Sequence, residues 1–327
     1  APVAVRREGP GLMVDAVSRA AFTALGSSAL LKRVASRYGM RQPGSFARRF
    51  VAGESVSEAI AAARALESEG YVVTLDLLGE SVASTEAAAA ATAAYVAIMA
   101  DIARAGITRN LSVKLTQLGL DVDTATAIDN LRRVLDAAGA AEFVVRIDME
   151  GSAYATATLQ AFETVWGIGY RNVGVVIQSY LKRSADDVDR MNALGASVRL
   201  VKGAYREPAT VAFQRKADVD RAFVSLMETL IAAGVTPAIA THDPAMIDAT
   251  RAFASGLGVP IDAFEFQMLY GVRRDLQRAL VADGYRVRIY VPFGTEWFPY
   301  FMRRLGERPA NVSFVLRSVW KDRGEGQ

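Results

Sequence analysis

Two adjacent arginines near the end of the chain, Arg303 and Arg304, have the types and spacing most suggestive of chemistry. They lie in YVPFGTEWFPYFMRRLGERPAN, residues 290–311, which we expect to form a helix. On that helix Tyr300, the two arginines and Glu307 stand at i, i+3, i+4 and i+7 and therefore share one face. Neighbouring guanidinium groups can hold a carboxylate or a phosphate through parallel hydrogen bonds, so this face predicts an anion clamp. A solvated, salt-bridged surface is the alternative interpretation.

The elements that must position this helix alternate in type along the chain. Eight apolar runs have the length and composition of strands: residues 72–76, 111–115, 143–149, 173–179, 197–203, 237–242, 264–269 and 287–292. Helical segments separate them at residues 85–105, 125–138, 153–167, 185–194, 217–233, 244–255 and 273–283. Strict alternation favours a parallel sheet, because parallel neighbours need a crossover connection. We therefore predict a (β/α)₈ TIM-type barrel over 71–313, with an N-terminal helical segment, 1–70, packed on it and a tail, 314–327.

An open, doubly wound sheet is the structural alternative. It would normally carry a glycine-rich turn after an early strand, and neither GxGxxG nor GxxxxGK[ST] occurs in the sequence. In the barrel, chemistry collects at the carboxyl ends of the strands. Polar side chains stand at those positions in this sequence: Asp76, Lys114, Asp148, Glu150, Gln178, Lys202, Thr241, His242, Gln267 and Tyr290. The pattern predicts a polar mouth on an apolar plug.

Composition excludes several classes of function. The chain of 327 residues has no cysteine, which excludes disulfides and thiolate metal sites, and we predict no metal site. Its net charge of +3 comes from scattered basic residues, so nucleic acid is not an expected partner. The most apolar stretch, Ala87 to Ala100, is closed off by Asp101 and is expected to be too short to span a bilayer. No signal peptide is predicted at the N-terminus.

Several motifs, taken in order, resemble one family. They are TLDLLGE (74–80), VKLTQLGL (113–120), RIDMEGS (146–152), SVRLVKGAYREPATVAFQRKADVD (197–220), ATHDP (240–244), FEFQMLYGV (264–272) and the arginine-bearing stretch. Together they run from Thr74 to Ser313 and resemble proline dehydrogenase, the flavin enzyme family that oxidises proline to pyrroline-5-carboxylate. No aldehyde dehydrogenase domain follows in this sequence, so the bacterial single-function form is the expectation.

The resemblance implies a role for individual residues in substrate binding and catalysis. Arg303 and Arg304 would hold the proline carboxylate together with Lys114, and Glu307 would pair with the first arginine. The side chains around the proline ring would be Leu269, Tyr290 and Tyr300. The residues implied in catalysis are Asp148, Arg199 and Tyr205.

The resemblance also implies that the (β/α)₈ barrel is distorted and holds a non-covalent FAD, which accepts a hydride from proline at N5. Gln178 and Arg199 would contact the isoalloxazine ring, and the backbone of Met149 would lie against the flavin. The phosphates and the ribityl chain would be contacted by Lys202, Gly203 and Ala204. The adenosine end would be contacted by Thr241 and His242. A membrane quinone would reoxidise the flavin, and a separate pyrroline-5-carboxylate dehydrogenase would take the product of this first step of proline catabolism. The implied location is the cytoplasm, with peripheral contact at the inner face of the cell membrane.

Two other functions remain open at this point. Lys114 and Lys202 could each serve a Schiff-base aldolase, since barrels often place a reactive lysine at a strand end. A barrel that binds carboxylates without chemistry would keep the arginine pair alone. The sequence departs from some family members at Arg206, where they carry an aromatic residue, and residues before 70 match little.

Overall fold

The strands form a closed, all-parallel barrel in the order β1 to β8, as predicted. The structure is a computed structural model that describes residues 40, 45–233 and 235–306. The strands are β1 Val72–Leu77, β2 Asn110–Val113, β3 Val144–Ile147, β4 Val173–Gln178, β5 Val198–Val201, β6 Ala238–Ala240, β7 Glu265–Leu269 and β8 Val287–Phe293. The barrel closes between β1 and β8, where Val72 to Leu77 lie in register with Arg288 to Phe293.

Helices follow every strand, with one more before the barrel. Within the described ranges they are α1 Val56–Ser68, α2 Thr85–Ala105, α3 Thr124–Ala140, α4 Ser152–Gly167, α5 Ser184–Leu194, α6 Lys216–Ala233, α7 Pro244–Gly256, α8 Arg274–Ala282 and α9 Trp297–Gly306. A short 3₁₀ helix, Phe46–Arg49, precedes α1. The seven helices expected between the strands are confirmed, with bounds within two residues.

Helix α2 shows how local signals fix an element. The Ser84 side chain accepts a hydrogen bond from the Ala87 N–H at its start, and Gly106 ends it in the left-handed conformation at φ 69°. The apolar run ends at Asp101, and the helix as a whole has 21 residues, Thr85–Ala105, which are the predicted bounds. Among the described residues it is the one helix long and apolar enough to cross a membrane, by length and composition alone. It packs one face, including Tyr95, into the barrel's outer layer.

The interior of the barrel is polar, so the expectation of an apolar plug is wrong. Arg199 on β5 donates to Ser112 on β2 and to Gln267 on β7, two strands that are not its neighbours, and such contacts are possible only through the interior. Arg146 on β3 likewise reaches Ser197, just before β5. Since surrounding helices cover the outer face of every strand, the apolar side chains face them and leave alternate positions inside for polar groups.

The last helix and the segment before α1 pack together. Trp297, Phe298, Phe301 and Met302 form a buried cluster with Phe50 and its neighbours in the 3₁₀ segment. The backbone supports this contact, because the Gly294 N–H donates to the carbonyl of Gly53 at 3.0 Å. The N-terminal segment is thus described from residue 45 on, while residues 1–39 and 307–327 lie outside the described part of the chain. The domain limits at 70 and 313 stay predictions.

Candidate active site

A buried cluster of charges lies at the mouth, the end of the barrel where the strands have their carboxyl termini. Lys114, one residue beyond β2, places its Nζ 2.8 Å from Oδ1 of Asp76 and 3.6 Å from Oδ2 of Asp148. The lysine and Asp76 are almost fully buried. The predicted pairing of Lys114 with Asp148 is present, but the closer partner is Asp76, which was noted only as a polar strand end.

The charges in this cluster support one another. Burial alone would lower the pKa of Lys114, but the carboxylates of Asp76 and Asp148 outweigh it and raise that pKa well above its ordinary value. Burial also raises the pKa of Asp76, which Lys114 partly opposes. These contacts favour the protonated form of Lys114, whereas the nucleophile of a Schiff-base aldolase must be a neutral amine.

Asp148 connects this pair to two further predicted residues. Its Oδ1 accepts a hydrogen bond from Nη1 of Arg199 at 2.8 Å, and its Oδ2 accepts one from the Tyr290 hydroxyl at 2.6 Å. Burial, and then the charge of Asp148, raise the pKa of Tyr290 well above its ordinary value, so the phenol remains a donor. The guanidinium of Arg199 also lies 5.4 Å from the centre of the Tyr290 ring. The structure therefore brings four predicted residues, from β3, β5, β8 and the end of β2, into direct contact.

Helix α9 carries the predicted clamp as one face. Arg304 lies with its guanidinium carbon 5.2 Å from the centre of the Tyr300 ring, and both side chains are buried. Arg303 pairs with Glu80, from the loop after β1, at 2.9 Å. Burial would lower the pKa of Arg303, but Glu80 outweighs it and raises that pKa. Glu307, the partner implied by the resemblance, lies outside the described residues.

Tyr205 lies between the clamp and the central cluster. Burial raises the pKa of its phenol to about 12, while the positive charges of Arg303 and Lys114 act in the opposite direction. Its loop, which follows β5, is fixed by Glu207, whose carboxylate accepts the Ser152 N–H at 2.6 Å and the hydroxyl of the same serine. Because that N–H belongs to the first turn of α4, Glu207 caps the helix from a distance.

The predicted flavin-ring contacts lie beside β4. The Gln178 amide donates to the carbonyl of Met149 at 3.2 Å, while its Oε1 is buried and accepts no hydrogen bond from any described residue. Gly203 has φ +113°, and a Cβ there would lie 2.3 Å from the ring of Tyr180. Only glycine fits this position without strain.

The residues implied for the phosphates and adenosine form a second group on β5 and β6. Lys202 donates to Asp220 at 2.5 Å and to Asp243 at 2.7 Å, so its charge is compensated within the protein. Thr241 is buried beside β6, and Ala204 is exposed. Nε2 of His242 accepts a hydrogen bond from the Leu269 N–H at 2.8 Å, which fixes the backbone of a residue implied in substrate binding.

The sequence does not predict the roles of three residues of the site. Asp76 and Gln267 were visible as polar strand ends, and Glu80 was visible only inside the TLDLLGE motif. Their roles depend on contacts between segments far apart in sequence, which spacing along one element does not show. Side chains two residues apart lie on the same side of a strand, so Glu265 and Gln267 share one side of β7. This alternation could have indicated an inward polar face.

Comparison with known proteins identifies the family. The sequence profile of proline dehydrogenase matches residues 59–317. The chain belongs to the proline dehydrogenase family. Members of this family are oxidoreductases that act on proline. The fold prediction is confirmed at the same time.

Two relatives in the proline dehydrogenase family show how far the likeness extends. Proline dehydrogenase 1 of Bacillus subtilis (strain 168) is 41% identical over 304 residues, which covers 93% of this chain and 99% of the relative. Proline dehydrogenase of Deinococcus radiodurans is 42% identical over 281 residues, covering 85% of this chain and 91% of the relative.

A solved structure has the same fold. Proline utilization A (PutA) from Bdellovibrio bacteriovorus, inactivated by N-propargylglycine, superposes with a TM-score of 0.75 at 28% identity. The match covers 80% of this chain but only 32% of that protein, so this proline dehydrogenase family member corresponds to about a third of PutA.

The residues at the mouth fit a flavin. Two of the atoms assigned to the ring, Nη2 of Arg199 and Oε1 of Gln178, are buried and form no hydrogen bond to any described residue. A bound group with its own donors and acceptors would satisfy them, which removes the cost of burying them alone.

Proposed function

We propose that this protein oxidises L-proline to 1-pyrroline-5-carboxylate with a non-covalently bound FAD. The observation that carries the proposal is the arrangement at the mouth: a buried Lys114–Asp148–Arg199 cluster together with the arginine face of α9, in a member of the proline dehydrogenase family. The site offers both signs of charge to a substrate. The arginines attract its carboxylate, while Asp76 and Asp148 balance the positive charges of Lys114 and Arg199 in the cluster.

Arg303, Arg304 and Lys114 hold the carboxylate of proline. Arg303 is paired with Glu80 at 2.9 Å, so its guanidinium group is already oriented by one carboxylate before the substrate arrives. Guanidinium groups suit this task because they offer parallel donors to both carboxylate oxygens. Leu269, Tyr290 and Tyr300 enclose the apolar ring carbons of proline.

Arg199, Gln178 and the backbone of Met149 hold the flavin ring, and Lys202, Gly203, Ala204, Thr241 and His242 hold the rest of the cofactor. When bound, FAD supplies the acceptor for the hydride that leaves C5 of proline. Arg199 provides a fixed positive charge where negative charge develops, and this charge is already oriented by Asp148 before substrate arrives. Tyr205 covers the site and helps to exclude water.

The proposal extends to the electron acceptor and the setting. A quinone in the membrane reoxidises the flavin, a separate pyrroline-5-carboxylate dehydrogenase takes the product, and the protein works in the cytoplasm with peripheral membrane contact. This makes the reaction the first step of proline catabolism. Quinone-dependent turnover with vesicles that contain a ubiquinone or menaquinone analogue tests this part separately.

A visible spectrum of the purified protein before and after addition of proline is the primary test. A flavin absorption band that is bleached by proline is expected. A colourless protein that still binds proline would favour the non-catalytic carboxylate-binding barrel, and a protein with neither property would overturn the proposal.

Paired variants test the clamp. Arg303→Met and Arg304→Met each lose charge-assisted hydrogen bonds of about 1.5–3 kcal/mol, so the KM for proline should rise about tenfold or more in each. Arg190→Met is the matched control, because Arg190 is an exposed arginine on α5 that also pairs with a glutamate, Glu163. Unchanged KM values in both clamp variants would remove the assignment.

A further inference from the structure

The guanidinium of Arg199 is held along one edge. Its Nε donates to Oε1 of Gln267 at 2.5 Å, and its Nη1 donates to Asp148 at 2.8 Å and to Ser112 at 3.2 Å. Nη2 is buried and forms no hydrogen bond within the described part of the chain. The side chain is therefore fixed by its Nε and Nη1 edge, while Nη2 remains available for a ligand.

Gln267 is itself held in one orientation. An amide can present either its oxygen or its nitrogen to a neighbour. The Gln267 Nε2 donates to Oε1 of Glu265 at 2.5 Å, and a carboxylate only accepts hydrogen bonds. The amide oxygen must therefore face Arg199.

Glu265 is in turn fixed by an ion pair deeper in the barrel. Arg288 donates to both of its oxygens, at 2.7 and 3.0 Å. Burial alone would raise the pKa of Glu265, but Arg288 outweighs it and the carboxyl stays ionised, with its pKa below the ordinary value. A chain of direct contacts therefore runs from Arg288 through Glu265 and Gln267 to Arg199, and Arg199, Glu265 and Gln267 are all buried.

The neutral amide at position 267 has an electrostatic consequence. Arg199 already has one carboxylate partner, Asp148. A second carboxylate in contact with it would compensate its charge further, whereas an amide orients the guanidinium and leaves most of that charge in place. Gln267 separates the carboxylate of Glu265 from Arg199, and Arg288 neutralises the charge of that carboxylate.

We propose that Gln267 is a positioning residue for Arg199, held in a single amide orientation by the Glu265–Arg288 pair. Through it the barrel interior presents to the flavin an oriented and only partly compensated cation. The inference rests on the proposed function, since it gives Arg199 a flavin to act on. If these contacts only filled the barrel interior, the properties of the flavin would not depend on whether the carboxylate stands at position 265 or at position 267.

The exchange variant Glu265→Gln/Gln267→Glu tests the proposal in the purified flavoprotein. It keeps the volume and the net charge but moves the carboxylate into contact with Arg199. The midpoint potential of the bound flavin should fall, because a compensated Arg199 stabilises negative charge on the reduced ring less well. An expected tenfold loss in the reduction equilibrium constant corresponds to about 30 mV for a two-electron couple.

Two further variants keep the test decisive. Gln267→Met has a similar length and removes the acceptor that orients Arg199. The guanidinium group is then no longer fixed toward the flavin, so the potential should also fall, and this variant serves if the exchange variant does not fold. Glu142→Gln is the control, because that exposed carboxylate pairs with Arg109 at the opposite end of the barrel, and no shift is expected.

The outcomes separate the two proposals. If the wild-type protein carries no flavin, the proposed function fails and this inference fails with it. If wild-type protein is bleached by proline, and folded exchange or Gln267→Met protein has the wild-type potential, the proposed function stands and the positioning role is overturned.

Discussion

Replacing Asp148 by asparagine would disturb the contacts that join the central cluster. One carboxylate oxygen accepts from Arg199 and the other accepts from Tyr290, with Lys114 at 3.6 Å. Asparagine has the same shape but carries one donor in place of an acceptor. If the NH₂ group faces Arg199 two donors meet, and if it faces Tyr290 the phenol must change from donor to acceptor. In either orientation two buried cations share one fewer negative charge.

The size of the loss follows from these contacts. Removing one partner of a buried ion pair costs about 3–5 kcal/mol, because the remaining charge is left uncompensated. The side chain of Asp148 is 14% exposed, so water can screen part of that charge. We therefore expect the free energy of unfolding to fall by about 3 kcal/mol, the lower end of this range. Proline-dependent bleaching should decline as well, because Lys114 and Arg199 lose their shared partner.

Denaturant unfolding at neutral pH, followed by far-UV circular dichroism at a fixed concentration of free FAD, measures this loss. The fixed concentration is needed because a bound cofactor stabilises the folded state by mass action. Asp136→Asn is a matched control: Asp136 also accepts from a tyrosine, Tyr170 at 2.5 Å, but it is exposed on α3. The control should change the free energy by about 0.5 kcal/mol or less. Equal losses in the two variants would refute the reasoning.

Two further predictions concern the cofactor side of the barrel. Gly203→Ala should lower the flavin-to-protein ratio and the thermal midpoint of unfolding, because φ at this position is +113° and the new Cβ would lie 2.3 Å from the Tyr180 ring. Gly167→Ala is the control: nothing lies within 4 Å of a Cβ at that position, so neither quantity should change. Burial alone would raise the pKa of Asp243, but hydrogen bonds from Lys202 outweigh it and lower that pKa to about 2 from 3.8. The ionised carboxyl therefore adds stability above about pH 4, and this contribution is lost as the pH falls toward 2. In acid unfolding, Asp243→Asn should lose less stability than the wild type over that interval. A stability loss in that interval as large as the wild-type loss would contradict the assignment.

The architecture could be predicted because it depends on local patterns that repeat. The alternation of apolar runs with helical segments required parallel strands, and side-chain caps fixed individual helices, as Ser84 and Gly106 do for α2. The polar interior could not be predicted from apolar content alone, although β7 and β8 carry polar residues at alternate positions, such as Glu265, Gln267 and Arg288. Which of the two alternating faces is turned inward depends on the helices around the barrel, and the strand sequence does not contain that information by itself.

The site was predictable to the extent that its residues share an element or a register. Helical spacing placed Arg303 and Arg304 on one face with Tyr300, and a face is a property of one helix. The partner of Arg303 was not predictable in this way. Spacing offered Glu307, in the less favourable order for a helical pair, whereas the described contact is with Glu80, more than two hundred residues earlier in the chain. A carboxylate from another element can pair with Arg303 only after β1 and α9 are brought together, so this half of the clamp is a product of barrel closure.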